Sequence, residues 1–181
     1  MPAIFLIGAR AAGKTTLGGL LAARLGLPFF DCDALLLEKS GLTVAEIVAR
    51  EGWPGFRRRE SELLRDLTAG LEAGEKGAFS RVIATGGGVV LDAANRALLR
   101  ACGLVFFLKA PAKVLAARLL AAPEAAQRPS LSTLAPQREI AAILRERAPL
   151  YREAARHTID AARPPAEVLE QMLKFLGKGG G

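Results

Sequence analysis

Short apolar runs, each closed by glycine, aspartate or a basic turn, alternate along this chain with longer segments whose leucines recur every three or four positions. The first run, Ala3–Ile7, is apolar without a break and stops at Gly8. Runs of that kind mark strands buried on both faces, as in the middle of a parallel sheet. From Lys14 the spacing turns helical, with Leu17, Leu20, Leu21 and Leu25 in register and Gly26 and Pro28 as the stop. Residues 28–31, 81–85, 104–108 and 157–160 supply four further short strands, and helical spacing covers 34–50, 56–73, 92–100, 113–120, 138–154 and 166–176. Gly52-Trp53-Pro54-Gly55 breaks the helical stretch between the second and third strands, which makes that stretch a helical insert. The alternation predicts a doubly wound, five-stranded parallel α/β sheet with right-handed crossovers, in one domain over residues 1–176. Residues 121–137, with three prolines and no apolar period, read as a lid. Residues 177–181 read as a flexible tail.

Composition narrows the partners. A chain of 181 residues that is 51% hydrophobic and 24% charged has enough apolar surface for a real core. Its net charge of +7 favours anionic ligands, and its basic residues are mostly arginine, the group that grips carboxylate and phosphate in bidentate fashion. The arginines are scattered and aromatics make up only 6%, so no basic stripe or base-stacking platform supports a nucleic-acid module. Cys32 and Cys102 are too few for a disulfide framework or a tetrahedral metal site, which points to a reducing, cytoplasmic setting. No stretch approaches the eighteen apolar residues of a membrane span, and Ala3–Ile7 is too short for a signal-peptide core.

The chemistry begins where the first strand ends. Gly8-Ala9-Arg10-Ala11-Ala12-Gly13-Lys14-Thr15 satisfies the P-loop spacing G-x-x-x-x-G-K-[ST] between a strand and a helix, the context the motif requires. The glycines let the backbone curl so that successive N–H groups point inward, adding to the positive end of the following helix. Lys14 then reaches the outer phosphates and the Thr15 hydroxyl is placed for Mg²⁺, whereas Thr16 reads as helix packing.

Other candidates fall at neighbouring strand ends. Asp31 and Asp33, two apart at the end of the second strand, would point the same way if that segment stays extended, one toward Mg²⁺ and one toward an acceptor hydroxyl. The competing reading makes Asp33 a helix N-cap. Gly86-Gly87-Gly88 offers bare backbone at the end of the third strand. Arg57, Arg58 and Arg59 stand about 100° apart around a helix, so at most one or two face a ligand. Arg145 and Arg147 precede Pro149, and Arg128 sits beside Pro129 within the lid, where a guanidinium could close over transferring phosphate. Trp53 serves either as a pocket wall or as core, and His157 has no partners at metal-ligand spacing.

Taken in order, residues 8–16, Asp31-Cys32-Asp33, the segment 52–60, Thr85-Gly86-Gly87-Gly88, Gln127-Arg128-Pro129 and Arg147-Ala148-Pro149-Leu150-Tyr151 resemble the motifs of the shikimate kinase family, most closely its second enterobacterial isoenzyme type. The resemblance runs through nearly the whole chain. It implies a P-loop kinase of the nucleoside-monophosphate-kinase type that uses ATP and Mg²⁺ to phosphorylate the 3-hydroxyl of shikimate, in aromatic amino acid biosynthesis. It assigns Asp33 to the acceptor hydroxyl, Asp31 to Mg²⁺ through water, and Arg57 and Arg147 to the shikimate carboxylate, with Gly87 adding a backbone contact to the substrate. Arg128 becomes the lid arginine, Thr16 joins the ATP-binding loop, and Arg118 and Arg163 fall on the adenine side. The insert at 34–62 would bind shikimate, and the enzyme would be a monomer with no nucleic-acid or membrane partner. A P-loop kinase for another hydroxy acid, such as gluconate, is the nearest rival.

Overall fold

The computed structural model describes residues 1–71, 78–121 and 136–177. Five strands, β1 (Ala3–Ile7), β2 (Phe29–Asp31), β3 (Val82–Ala84), β4 (Gly103–Lys109) and β5 (His157–Asp160), form one sheet in the order β2-β3-β1-β4-β5. Every pairing is parallel, as the alternation of elements predicts. The helices are α1 (Lys14–Leu25), α2 (Cys32–Ser40), α3 (Val44–Thr68), α4 (Ala93–Cys102), α5 (Ala112–Ala121), α6 (Pro136–Ala154) and α7 (Pro165–Gly177).

β1 is wholly buried, and the pleat sends its side chains to two cores. Ala3, Phe5 and Ile7 join a cluster with Ile47, Phe56, Leu64, Leu99 and Tyr151 from α3, α4 and α6. Ile4 and Leu6 join the opposite cluster with Leu17, Leu21, Leu115, Val168 and Met172 from α1, α5 and α7. The sheet is thus covered on both faces, and its carboxyl edge, where β1, β2 and β3 end, is left for the site.

The insert departs from expectation. Residues 34–50 form two helices instead of one: α2 ends at Gly41 (φ 65°), and α3 starts after Thr43, whose hydroxyl and backbone N–H exchange bonds with Glu46 as a capping box. α3 then kinks at Gly52 (φ 69°, ψ 176°), within the break expected at 52–55, and runs on to Thr68. A short 3-10 turn at Val89–Leu91 was not expected. His157 stacks on Phe175 at 4.2 Å, and burial lowers its pKa from 6.5, so it serves packing. Apart from Ala121 and residues 136–137, which belong to α5 and α6, the lid segment, Arg128 included, lies outside the described residues, as do tail residues 178–181.

Candidate active site

The loop between β1 and α1 is held open by left-handed backbone at Gly13 (φ 90°) and even at Ala11 (φ 61°). A β-carbon on Gly8 would come within 2.7 Å of the Leu108 carbonyl oxygen, so β4 itself excludes a side chain there. Lys14 Nζ donates to the carbonyls of Gly8 and Ala9 at 3.0 and 2.9 Å, which places the ammonium at the rim of its own loop. The Thr15 hydroxyl donates to Asp31 Oδ2 at 2.5 Å. Thr16 is exposed and faces the same cavity, which corrects its reading as helix packing. That cavity, about 750 Å³, is lined by residues 10–17 together with Asp31, Asp33, Thr85, Arg118 and Arg163. Its size suits a small ligand or cofactor.

The two aspartates reach this region by different routes. α2 begins at Cys32, so Asp31 ends the strand and Asp33 sits in the first helical turn. The extended-segment argument therefore fails, and so does the cap assignment: Asp31 is the N-cap, its Oδ1 accepting from the backbone N–H of Asp33 (2.9 Å) and Ala34 (3.2 Å). Of the two Asp31 oxygens, Oδ2 is the one that meets the phosphate loop, at Thr15. Between them, Cys32 is buried, and desolvation together with the charges of Asp33, Glu60 and Asp31 pushes its thiol well above the ordinary 9.0. Three carboxylates thus gather at the end of β2.

Gly86-Gly87-Gly88 is the floor on which the remaining candidates meet. A β-carbon on Gly86 would fall inside the Glu60 carboxylate and 3.6 Å from Asp33 Oδ1, and one on Gly88 would fall inside the Arg57 guanidinium. The Gly87 carbonyl accepts from Arg147 Nη1 at 3.3 Å and from the Tyr151 hydroxyl at 2.5 Å. Gly86 and Gly88 thus leave room for the ends of two α3 side chains, whereas a β-carbon on Gly87 would meet only ordinary contacts, 3.5 Å from the phosphate loop. Arg57 is oriented by an ion pair to Glu60 (2.6 Å), and its guanidinium lies 5.4 Å from the Trp53 ring and 5.1 Å from that of Phe56. Trp53 is therefore neither a free pocket wall nor plain core; it props an arginine. Of the other two arginines of the triplet, Arg59 is held in a bidentate pair with Glu51 (2.5–3.1 Å), and Arg58 is exposed at the wall of a cavity it shares with Arg57, Glu60 and Gly88. Gly88→Ala is expected to raise the KM for a carboxylate acceptor roughly tenfold, a loss of about 1.4 kcal/mol, while leaving the KM for ATP unchanged in steady-state assays.

Burial singles out Arg147. It is only 8% exposed, its Nε has no hydrogen-bond partner, and among the described residues no carboxylate pairs with it. A desolvated guanidinium with spare donors is a receptor for a carboxylate. Arg163, by contrast, is exposed and paired with Asp160 (3.5 Å) and Glu167 (3.6 Å), at the cavity wall with Arg118. Two residues had no role assigned from sequence, Glu60 and Tyr151. Their signal was helical spacing, three residues after Arg57 and four after Arg147, which puts each beside its arginine.

A phosphate loop, a carboxylate cluster and two oriented arginines on one sheet edge match the motif order, and the shikimate kinase family model covers residues 10–177. The chain belongs to the shikimate kinase family. It is 52% identical to shikimate kinase 2 of Syntrophotalea carbinolica over 97% of this chain and 96% of that one. Shikimate kinase from Acinetobacter baumannii, solved in complex with shikimate, superposes with a TM-score of 0.86 at 34% identity, covering 99% of this chain and 95% of the other. A gluconokinase from Sinorhizobium meliloti, 18% identical with a TM-score of 0.54 over 98% of this chain and 95% of that one, shares the fold alone. The family's reaction is transfer of the γ-phosphoryl group of ATP, with Mg²⁺, to shikimate, and this chain is a phosphotransferase of that kind. Among the described residues no helix is long and apolar enough to cross a membrane.

Proposed function

We propose that Arg57 and Arg147 clamp the carboxylate of shikimate above Gly87 and turn its 3-hydroxyl toward Asp33, which orients that hydroxyl and takes its proton as the phosphoryl group arrives. The observation that carries this reading is the buried Arg147 guanidinium, which shares one glycine floor with an Arg57 already aimed by Glu60 and two aromatic rings.

On the nucleotide side, the amides of Gly8, Ala9, Arg10, Ala11, Ala12 and Gly13 cradle phosphate, Lys14 neutralises charge on the transferring group, and Thr16, Arg118 and Arg163 border the nucleotide. The motif Gln127-Arg128-Pro129 assigns Arg128 to the phosphates as well. Thr15 and Asp31 are hard oxygen donors in contact at the mouth of the loop, a set that fits a small divalent ion whose other ligands are phosphate and water. When bound, Mg²⁺ offsets the negative charge on the phosphoryl oxygens. Positioning and charge neutralisation account for most of the catalysis, because the phosphoryl transition state asks little covalent help of the protein. We assign shikimate binding to the insert at 34–62, within one kinase domain. We assign the enzyme to the reducing cytoplasm, a setting that the buried free thiols of Cys32 and Cys102 suit, and, on the family resemblance alone, to a monomer.

A coupled ADP-release assay tests the acceptor. Turnover is expected with shikimate and not with gluconate or nucleoside monophosphates, and preference for gluconate would overturn the assignment. The amide of shikimate, which keeps the ring hydroxyls and loses the charge, is expected to bind far more weakly than the acid.

A further inference from the structure

Tyr151 is fully buried and stacked on Phe107, with ring centroids 4.9 Å apart and planes 20° from parallel. Its hydroxyl donates to the Gly87 carbonyl at 2.5 Å, and Arg147, one turn earlier on α6, donates Nη1 to the same oxygen at 3.3 Å. A carbonyl oxygen has two lone pairs, so these donors saturate it. The neutral donor holds the closer bond. Burial pushes the Tyr151 pKa up to about 12, against the opposing effect of the Arg147 charge beside it, so the phenol remains a donor throughout the assay range. Without that hydroxyl, the lone pair it fills would be open to a second, closer N–H of the same guanidinium, and an arginine folded onto the carbonyl in that way would have fewer N–H groups to offer a ligand. Gly87 also adjoins the phosphate loop: a β-carbon on it would lie 3.5 Å from the Arg10 amide nitrogen and the Gly8 carbonyl oxygen. Its peptide is therefore shared between the acceptor site and the nucleotide site.

We propose that the Tyr151 hydroxyl is a positioning group for carboxylate recognition: by holding the closer bond to the Gly87 carbonyl it limits the Arg147 guanidinium to a single long Nη1 contact with that oxygen and leaves the rest of its N–H fork for the ligand. This rests on the reading of Arg147 as the carboxylate clamp. Tyr151→Phe keeps the ring and its stack and removes only the hydroxyl. The KM for shikimate is expected to rise about 5- to 20-fold, the scale of one hydrogen bond, with kcat and the KM for ATP within about twofold of the parent. In an Arg147→Ala background the same change is expected to alter the KM for shikimate less than about twofold, because no guanidinium remains to be positioned. Tyr151→Leu, which also loses the ring, should melt at a lower temperature than Tyr151→Phe yet shift the KM for shikimate by a similar factor.

An unchanged KM in Tyr151→Phe, or an equal effect in both backgrounds, would overturn the proposal while leaving the clamp intact. A KM that tracks melting temperature across the Phe and Leu variants would overturn it too, since the residue would then act through the fold. Indifference of the KM to Arg147→Ala alone would instead remove the clamp, and the tyrosine's role with it.

Discussion

Arg147→Ala is expected to raise the KM for shikimate about 30- to 150-fold, corresponding to about 2–3 kcal/mol for a charge-assisted contact left unpaired, with the KM for ATP unchanged. The guanidinium is buried on α6, makes a long 3.3 Å bond to the Gly87 carbonyl and is remote in sequence from the phosphate loop. Arg57→Ala should show a similar loss of shikimate affinity together with reduced stability, because it also removes the ion-pair partner of Glu60, which is 3% exposed. Steady-state kinetics with each substrate varied in turn, beside thermal melts, separate the two effects. Parallel weakening of both substrates would mean damage to the fold and not to the clamp.

Asp33→Asn is expected to lower kcat about 10²- to 10⁴-fold, the range for loss of a positioned general base, while ATP binding changes little. The isosteric amide keeps the shape of the first turn of α2, and the cap on that turn is supplied by Asp31, so the helix should survive the change. Isothermal titration with a nonhydrolysable ATP analogue checks the nucleotide side and a coupled assay checks turnover. Near-normal turnover would remove Asp33 from proton transfer.

The sheet and the phosphate loop were legible because their signals are local. An unbroken apolar run, a glycine, and a lysine opening a leucine-spaced helix leave few alternatives. The break between α2 and α3 was equally local, since Thr43-Val44-Ala45-Glu46 spells a capping box, but continuous leucine spacing from Ala34 masked it. Asp31 and Asp33 both line the cavity at the loop, as their spacing suggested, yet for a different geometric reason, because the helix starts two residues earlier than the apolar pattern suggests. Helix geometry limited the arginine triplet to one or two ligand contacts but could not choose among them. The choice depends on Glu60, Trp53 and Gly88, which meet only in the folded chain. The glycine triplet was recognised as an approach site for a ligand, and it turns out to be first an approach site for the protein's own side chains.

A positive charge withdrawn from water without a counter-ion weighs against the native state until an anion arrives. Among the described residues no carboxylate meets the buried Arg147, and the acid that the enzyme consumes would supply that counter-charge. Binding of the acid should therefore slow proteolysis and raise the melting temperature as its concentration climbs above its Kd, so that substrate protects the catalyst as well as feeding it.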